Sequence, residues 1–241
     1  MNCIPTPIFS IITVTYNSEK YLEQTIKSVL SQDFQDFEYI IIDGGSTDKT
    51  LDIINKYSNS ISYWVSEKDN GIYDAINKGI RASKGKYIGI INSDDWYEEG
   101  SFLKISNVFE DIQIDILCGL LRLWEDNYTL GVQGNASNFL KYGMISHPTC
   151  FVKREVYEKV GLFNSNFKIA GDYDFMMRCF NNNCSFHFLE VIIANFRTSG
   201  ISNSDTITRL SEFNYIQLTN KLISNKKYRV EKFKLFLKRL L

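Results

Sequence analysis

Apolar and polar positions in the first hundred residues switch repeatedly between two periods. Phe9 to Tyr16 is a β-branched and aromatic run that predicts a buried strand. After it, Tyr21, Leu22, Ile26, Val29 and Leu30 fall on one face of a helix, with Asn17 and Ser18 offering N-cap chemistry in front. The alternation continues with a strand at about 37–42 and a helix from a Ser46-Thr47-Asp48 cap to about Tyr57. A strand at 61–65, a helix at 72–82 and a strand at 87–91 follow. Strands alternating with helices predict right-handed βαβ units and a parallel sheet.

The second hundred residues are less regular. Residues 114–123 read as one or two strands, and 135–144 lack a clear period. A short helix over 153–160 ends at Gly161 in the C′ position; a helix over 172–181 and one or two strands over 185–196 come next. Turn formers fill 197–204, and the chain beyond 205 reads as helical to its end. No Pro/Gly linker divides the two halves. The expectation is one α/β domain over 1–204, with a nucleotide-binding half at about 1–100 and an acceptor half at 101–204. A helical tail occupies 205–241.

Composition narrows the class. The 241 residues are 44% hydrophobic and 23% charged, with 14 Gly and 3 Pro, which excludes disordered and fibrous chains. No apolar run approaches the roughly 20 residues that span a bilayer. Residues 1–15 show no secretory leader pattern. Cys3, Cys118, Cys150, Cys179 and Cys184 are odd in number and form no C-x-x-C pair, so reduced thiols in the cytoplasm are expected. A net charge of −1 gives no reason to expect nucleic acid.

The candidate chemistry gathers where the strands end. In an open parallel sheet, ligands bind beyond the carboxyl ends of the strands. That edge should carry Thr15-Tyr16-Asn17, Asp43-Gly44-Gly45-Ser46, Glu67 to Gly71 and Asn92-Ser93-Asp94-Asp95. Each segment alone is ordinary turn material; four polar exits at one edge, three with carboxylates, are harder to dismiss. No G-x-G-x-x-G, Walker-type or G-x-S-x-G motif occurs, and only His147 and His187 are present. What remains is hard-oxygen chemistry: Asp94 and Asp95 suit Mg²⁺ or Mn²⁺, whose shell substrate phosphates usually complete.

These residues resemble a known family. Ser10 to Asn17, Asp43 to Asp48 and Asn92-Ser-Asp-Asp-Trp96 look like the signatures of family 2 glycosyltransferases with the GT-A fold. Ser146-His-Pro-Thr149 and Gly171-Asp-Tyr-Asp-Phe175 continue the match in order, so that it covers roughly 8–200. The resemblance is closest to bacterial enzymes that extend O-antigen or capsule repeat units. It implies that Thr15 and Asp43 bind the uracil and ribose of a UDP-sugar, Asp43 accepting from the uracil N–H, with Tyr16, Asn17 and Gly44 beside them. Asp69, Gly71 and Lys78 would line the donor pocket. The family's D-x-D falls on Asn92, Ser93 and Asp94, where Asn is a departure, and metal ligation falls on Asp94 with Asp95 beside it. Asp172 matches the catalytic base, although Gly171 precedes it where the family usually has Glu. The alternative for Asp172 is a helix N-cap or first-turn carboxylate, and the two roles are compatible, since a helix N-terminus also holds a base deprotonated.

The implied reaction is an inverting transfer of a hexose to a saccharide on a polyprenyl diphosphate. His147 is a candidate contact to acceptor or diphosphate, and Arg197, with the loop containing Gly200, a candidate lid. Two rivals fit part of the pattern. A sugar nucleotidyltransferase would carry a Gly-rich basic loop after the first strand, and Thr15 to Glu19 lack one. A non-catalytic binder of nucleotide-sugar or glycan is prompted by Asn92 and Gly171.

The tail changes the charge picture. Residues 225–241 hold seven basic side chains against Glu231, a net +6, which leaves −7 on the preceding 224 residues. Val230, Phe233, Leu237, Leu240 and Leu241 recur on one helical face. A basic amphipathic helix of this kind fits an anionic membrane surface, which makes peripheral residence at the inner face of a bacterial membrane the expectation.

Overall fold

The computed structural model describes residues 6–199 and 205–240. Cys3, Gly200 and the rest of its loop to Ser204, and Leu241 lie outside the described residues, as do the side chains of Arg239 and Leu240. One sheet organises the chain. Its first half is β1 (Phe9–Thr15), β2 (Phe37–Asp43), β3 (Tyr63–Ser66) and β4 (Tyr87–Asn92), with β5 (Trp96–Tyr97) directly after. The helices between them are α1 (Leu22–Leu30), α2 (Thr50–Lys56) and α3 (Ile72–Ala82). Strands β3, β2, β1 and β4 are parallel neighbours in that order, as the alternation predicts.

Beyond β4 the sheet becomes mixed. The strands there are β6 (Ile116–Glu125), β7 (Tyr128–Gln133), β8 (Phe151–Lys153) and β9 (Phe186–Arg197). The order continues β4-β8-β6-β9-β5, with β7 on β6; β8 runs antiparallel to both neighbours, and β6 and β9 are parallel. The helices here are α4 (Ser101–Asp111), α5 (Arg154–Val160) and α6 (Gly171–Asn181). The parallel sheet expected from the first hundred residues and the less regular half expected after it are both present. Residues 114–123 and 185–196 each form one long strand, while α4, β5, β7 and β8 had no counterpart in the sequence reading.

Successive residues of a strand point to opposite faces, and here both faces are covered, so alternate residues feed two cores. Ile12, Val14, Ile40, Ile42, Ile88 and Ile90 pack with Ile76 and Ile80 of α3 and with α6. Phe9, Ile11, Tyr39, Ile41, Tyr87 and Ile91 pack with α1 and α4. The cysteines at 118, 150, 179 and 184 are buried and unbridged.

The start of α1 differs from expectation. Asn17 and Ser18 do not cap α1, which begins after Tyr21 without a side-chain cap. Asn17 instead adopts a left-handed backbone (φ 48°) and its Oδ1 accepts from Thr47 N at 2.8 Å, tying the β1 exit to the β2 exit. The chain after 205 is two helices, α7 (Thr206–Thr219) and α8 (Asn225–Leu240). Helix α7 is part of the body: Ile216 is buried in the same core as α6, and Phe213 stacks on Tyr173 with ring centroids 4.2 Å apart.

Candidate active site

The register of the parallel strands brings the candidate residues to one edge. Thr15 pairs with Asp43 and Asp43 with Ser66, while Val14 pairs with Asn92. Asp43 is fully buried and occupied by its own loop. Its Oδ2 accepts from Gly45 N (3.1 Å), Ser46 N (2.9 Å) and the Ser66 hydroxyl (2.6 Å), and its Oδ1 from the Ser46 hydroxyl. The carboxylate that the resemblance gives to a base N–H thus already holds the 43–46 turn and β3 in place. Gly45, at φ 84°, gives that turn a backbone other residues resist.

Tyr16, Gly44 and Asp69 meet in front of this turn. The Tyr16 ring is 61% exposed. A Cβ on Gly44 would stand 2.5 Å from Asp69 Oδ2 and 3.5 Å from the Tyr16 ring, so only glycine leaves the two side chains in this arrangement. Asp69 Oδ1 accepts from Gly71 N at 2.9 Å, and Gly71 turns the chain into α3 at φ 109°. Lys78 is on the same side but turned to its own loop: Nζ pairs with Glu67 at 2.8 Å and donates to Lys68 O at 3.2 Å. That ion pair raises the Lys78 pKa.

The β4 exit is built as a second turn. Ser93 is buried, its hydroxyl 2.7 Å from that of Ser18, and the Thr25 hydroxyl donates to Asp95 O at 2.6 Å. Asp95 is fully buried; Oδ1 accepts from Arg197 N at 3.0 Å, and Oδ2 has no partner among the described residues. Burial and the adjacent Asp94 charge push the Asp95 pKa well up, and burial also raises that of Asp94. Arg197 is not a loop residue: it ends β9, with its guanidinium 4.3 Å and 4.5 Å from the Tyr21 and Trp96 ring centroids. Its side chain also donates to Gln24. The arginine named as a lid candidate thus stands beside the acidic turn, and the loop it was paired with, 200–204, lies outside the described residues.

A cavity of about 200 Å³ joins the two halves of the chain. Asn92, His147 and Asp172 line it together with Ile72, Tyr73, Ile76, Lys168 and Ile169. Asp172 sits in the first turn of α6; Oδ1 accepts from Tyr173 N at 2.8 Å and lies 3.4 Å from the Tyr73 hydroxyl. Burial lifts its pKa to about 6, against the opposing effect of these donors. Burial also lowers His147 to about 4, so the imidazole is neutral near pH 7, edge-on to Phe163. Tyr73 and Lys168 were missed in the sequence because they carry no motif. The signal for Tyr73 was its place two residues after Gly71, at the start of a helix aimed at the site.

Residues 10–176 match the sequence family described as Glycosyl transferase family 2. The chain belongs to this family. Among relatives of this glycosyltransferase is a PGL/p-HBAD biosynthesis glycosyltransferase of Mycobacterium bovis (strain BCG / Pasteur 1173P2). It is 29% identical over 205 residues, covering 82% of this chain and 80% of the relative. The glycosyltransferase also resembles the crystal structure of S. aureus TarS 1-349 in complex with UDP (TM-score 0.71, 21% identity), over 92% of this chain and 68% of that one. A mannosyltransferase from Pyrobaculum calidifontis in complex with GDP-Man and Mn²⁺ matches at TM-score 0.72 and 15% identity, over 92% and 66%. The glycosyltransferase spans only 39% of a longer S. aureus TarS chain. These structures establish a GT-A arrangement of the sheet, in agreement with the resemblance.

A divalent cation fits the acidic turn of the glycosyltransferase in part. No group of three or more His, Cys, Asp or Glu side chains able to hold a metal occurs among the described residues. Mg²⁺ and Mn²⁺ do not need one, since one or two carboxylates with substrate phosphates suffice. Asp94 is half-buried and Asp95 Oδ2 is a buried oxygen without a partner among the described residues, both in an electrostatic setting that a cation would relieve.

Proposed function

We propose that this chain is an inverting glycosyltransferase that moves a hexose from a UDP-sugar to a saccharide acceptor. The observation that carries the reading is Asp172. It is a carboxylate with a pKa near 6, in a cavity it shares with Asn92, and Asn92 is two residues before Asp94. At neutral pH Asp172 is largely ionised and can take the proton of an acceptor hydroxyl as that oxygen bonds to the anomeric carbon. The anomeric C–O bond to the diphosphate breaks as the new bond forms, which inverts the centre. Asp94, with Asp95 behind it, would hold Mg²⁺ or Mn²⁺, which supplies Lewis-acid stabilisation of the departing diphosphate. The exposed Tyr16 ring and the Gly44–Asp69 slot suit a flat base, and Thr15 and Asp43 hold the floor beneath it. Binding of UDP and UDP-GlcNAc by TarS structures supports a uridine donor.

We infer a polyprenyl-diphosphate acceptor, in O-antigen or capsule assembly, from the outward face of α8. No helix among the described residues is long and apolar enough to cross a membrane. Val230, Phe233 and Leu237 are nevertheless exposed, Phe233 at 61%, while Leu235 packs inward at 8%. The buried residue of this helix is thus a different one from those of the apolar face. That leaves the face and its lysines for an anionic surface where a lipid-linked acceptor would reside.

Thermal shift against a panel of UDP-sugars with Mn²⁺ tests the donor, because a bound ligand stabilises the fold by mass action. A shift of several degrees with one UDP-sugar, absent or much reduced in Asp94→Ala, is expected. An Asp94→Ala protein with an unchanged Mn²⁺ response would remove Asp94 as a ligand. A fully active Asp172→Asn protein would remove the base.

A further inference from the structure

The carboxylate of Glu212, on α7, is used on a distant segment. Oε1 accepts from Lys168 N at 2.7 Å, and Oε2 accepts from Ile169 N and Ala170 N at 2.9 Å each. These three N–H groups lead directly into α6, whose first turn carries Asp172. Of these, Ala170 N is at the cap position, where a helix start leaves donors without partners, and a negative charge there suits the helix dipole. Ala170, at the cap position, has no side-chain oxygen to do this, and α6 has no side-chain cap of its own. The cap comes instead from α7, 42 residues further along the chain.

The contact continues to the cavity. Ile169 O, in the segment that Glu212 holds, accepts from the Tyr73 hydroxyl at 2.6 Å, and the same hydroxyl stands 3.4 Å from Asp172 Oδ1. The Tyr73 ring is packed on two sides. It stacks on Phe163 at 5.7 Å, and it lies so close to Gly171 that a Cβ there would meet three ring atoms at 2.7–2.8 Å. Helix α7 is equally fixed, by Phe213 on Tyr173 and by buried Ile216. One unbroken path therefore runs from Glu212 through backbone 168–170 and Tyr73 to Asp172.

We propose that Glu212 is a positioning residue of the transfer reaction, holding the 168–170 segment so that Tyr73 fixes where Asp172 Oδ1 meets the acceptor hydroxyl. The proposal rests on the reading of Asp172 as the base. Glu212 itself touches no reacting atom. Its leverage comes from geometry, since a shift on the order of 1 Å in a reacting group costs up to about a hundredfold in rate.

The test measures UDP release by the full chain, using the UDP-sugar that gives the largest thermal shift. Short-chain polyprenyl-diphosphate saccharides, or water where none reacts, serve as acceptor. Glu212→Gln keeps the size but turns an amide N–H toward a backbone N–H, Glu212→Ala removes the cap, and Tyr73→Phe removes the hydroxyl alone. Rates are normalised to folded protein by calorimetric donor-binding stoichiometry. The expected result is a kcat lower by about tenfold in Glu212→Gln and in Tyr73→Phe, with donor KM unchanged within about twofold. The double variant should lose less than the product of the two, because both act along one path. Wild-type kcat in folded Glu212→Gln and Tyr73→Phe would overturn the proposal, as would a raised donor KM with kcat intact. Should Glu212→Ala fail to fold, the other two variants decide. Asp172→Asn run alongside separates the two readings. If it is active, the base and the positioning role both fall; if it is dead while the others keep wild-type kcat, only the positioning role falls.

Discussion

At the scale of single residues, Asp172 is where burial and chemistry meet. Its pKa is raised from 3.8 to about 6 because burial disfavours the charged form more than Tyr173 N and the Tyr73 hydroxyl favour it. The folded state therefore binds its proton more tightly than the unfolded chain does. Between about pH 4 and pH 6 stability falls as the pH rises, and the cost stays in place above pH 6. Asp172→Asn has no such charge to bury. Relative to wild type it should gain stability across that window, by up to about 3 kcal/mol at pH 7, and match it below pH 4. Urea unfolding of both proteins at pH 4 and 7 measures this, and a constant difference between the two would contradict it. The wild-type rate should rise along an acidic limb near pH 6, where the base loses its proton.

Between elements, legibility in the sequence depended on whether a residue's partner was near in the chain. Strands β1, β2 and β4 and helix α3 emerged within a residue or so, because each carries a local period of its own. Helix α4 has an equally clear one, with Phe102, Ile105 and Phe109 all buried and Gly100 in a left-handed turn before it. Strands β5, β7 and β8 are different. They span two, six and three residues, and pairing with β9, β6 and β4 alone defines them. The site divides in the same way. The strand exits were readable as polar turns at the ends of apolar runs, whereas Asp172 shares its cavity with Tyr73, Asn92 and His147, which are remote from it in sequence. Asn77 shows how such links hold the halves together. From α3 it donates to Phe163 O at 2.9 Å and accepts from Phe163 N at 3.0 Å, fully inside the protein. Asn77→Ala leaves both backbone groups buried without partners. It should cost about 2–4 kcal/mol in chemical denaturation, from one to three for each orphaned group less partial hydration. A loss under about 1 kcal/mol would show that the 163 segment is held by other contacts.

For the whole molecule, the charge distribution carries more than the total. A body at −7 and a tail segment at +6 make a strongly polar molecule whose net −1 conceals both. An anionic bilayer attracts one end and repels the other, so that the protein would approach with α8 against the lipid. Lysines and arginines near such a surface contribute about 1 kcal/mol each, falling off within a Debye length. Exposed Val230, Phe233 and Leu237 would add apolar burial on contact. The two contributions respond differently to salt and can be separated. Vesicles of phosphatidylglycerol and phosphatidylethanolamine should bind the protein at low salt and release most of it near 0.5 M NaCl. Neutral phosphatidylcholine vesicles should bind little at either. Replacing Phe233 and Leu237 with Ser should weaken binding about tenfold or more while leaving the melting temperature within about 2 °C, because neither side chain is part of the core. Equal binding by the Ser variant would show that charge alone carries the attachment, and a large fall in its melting temperature that the two side chains pack on the protein's own body.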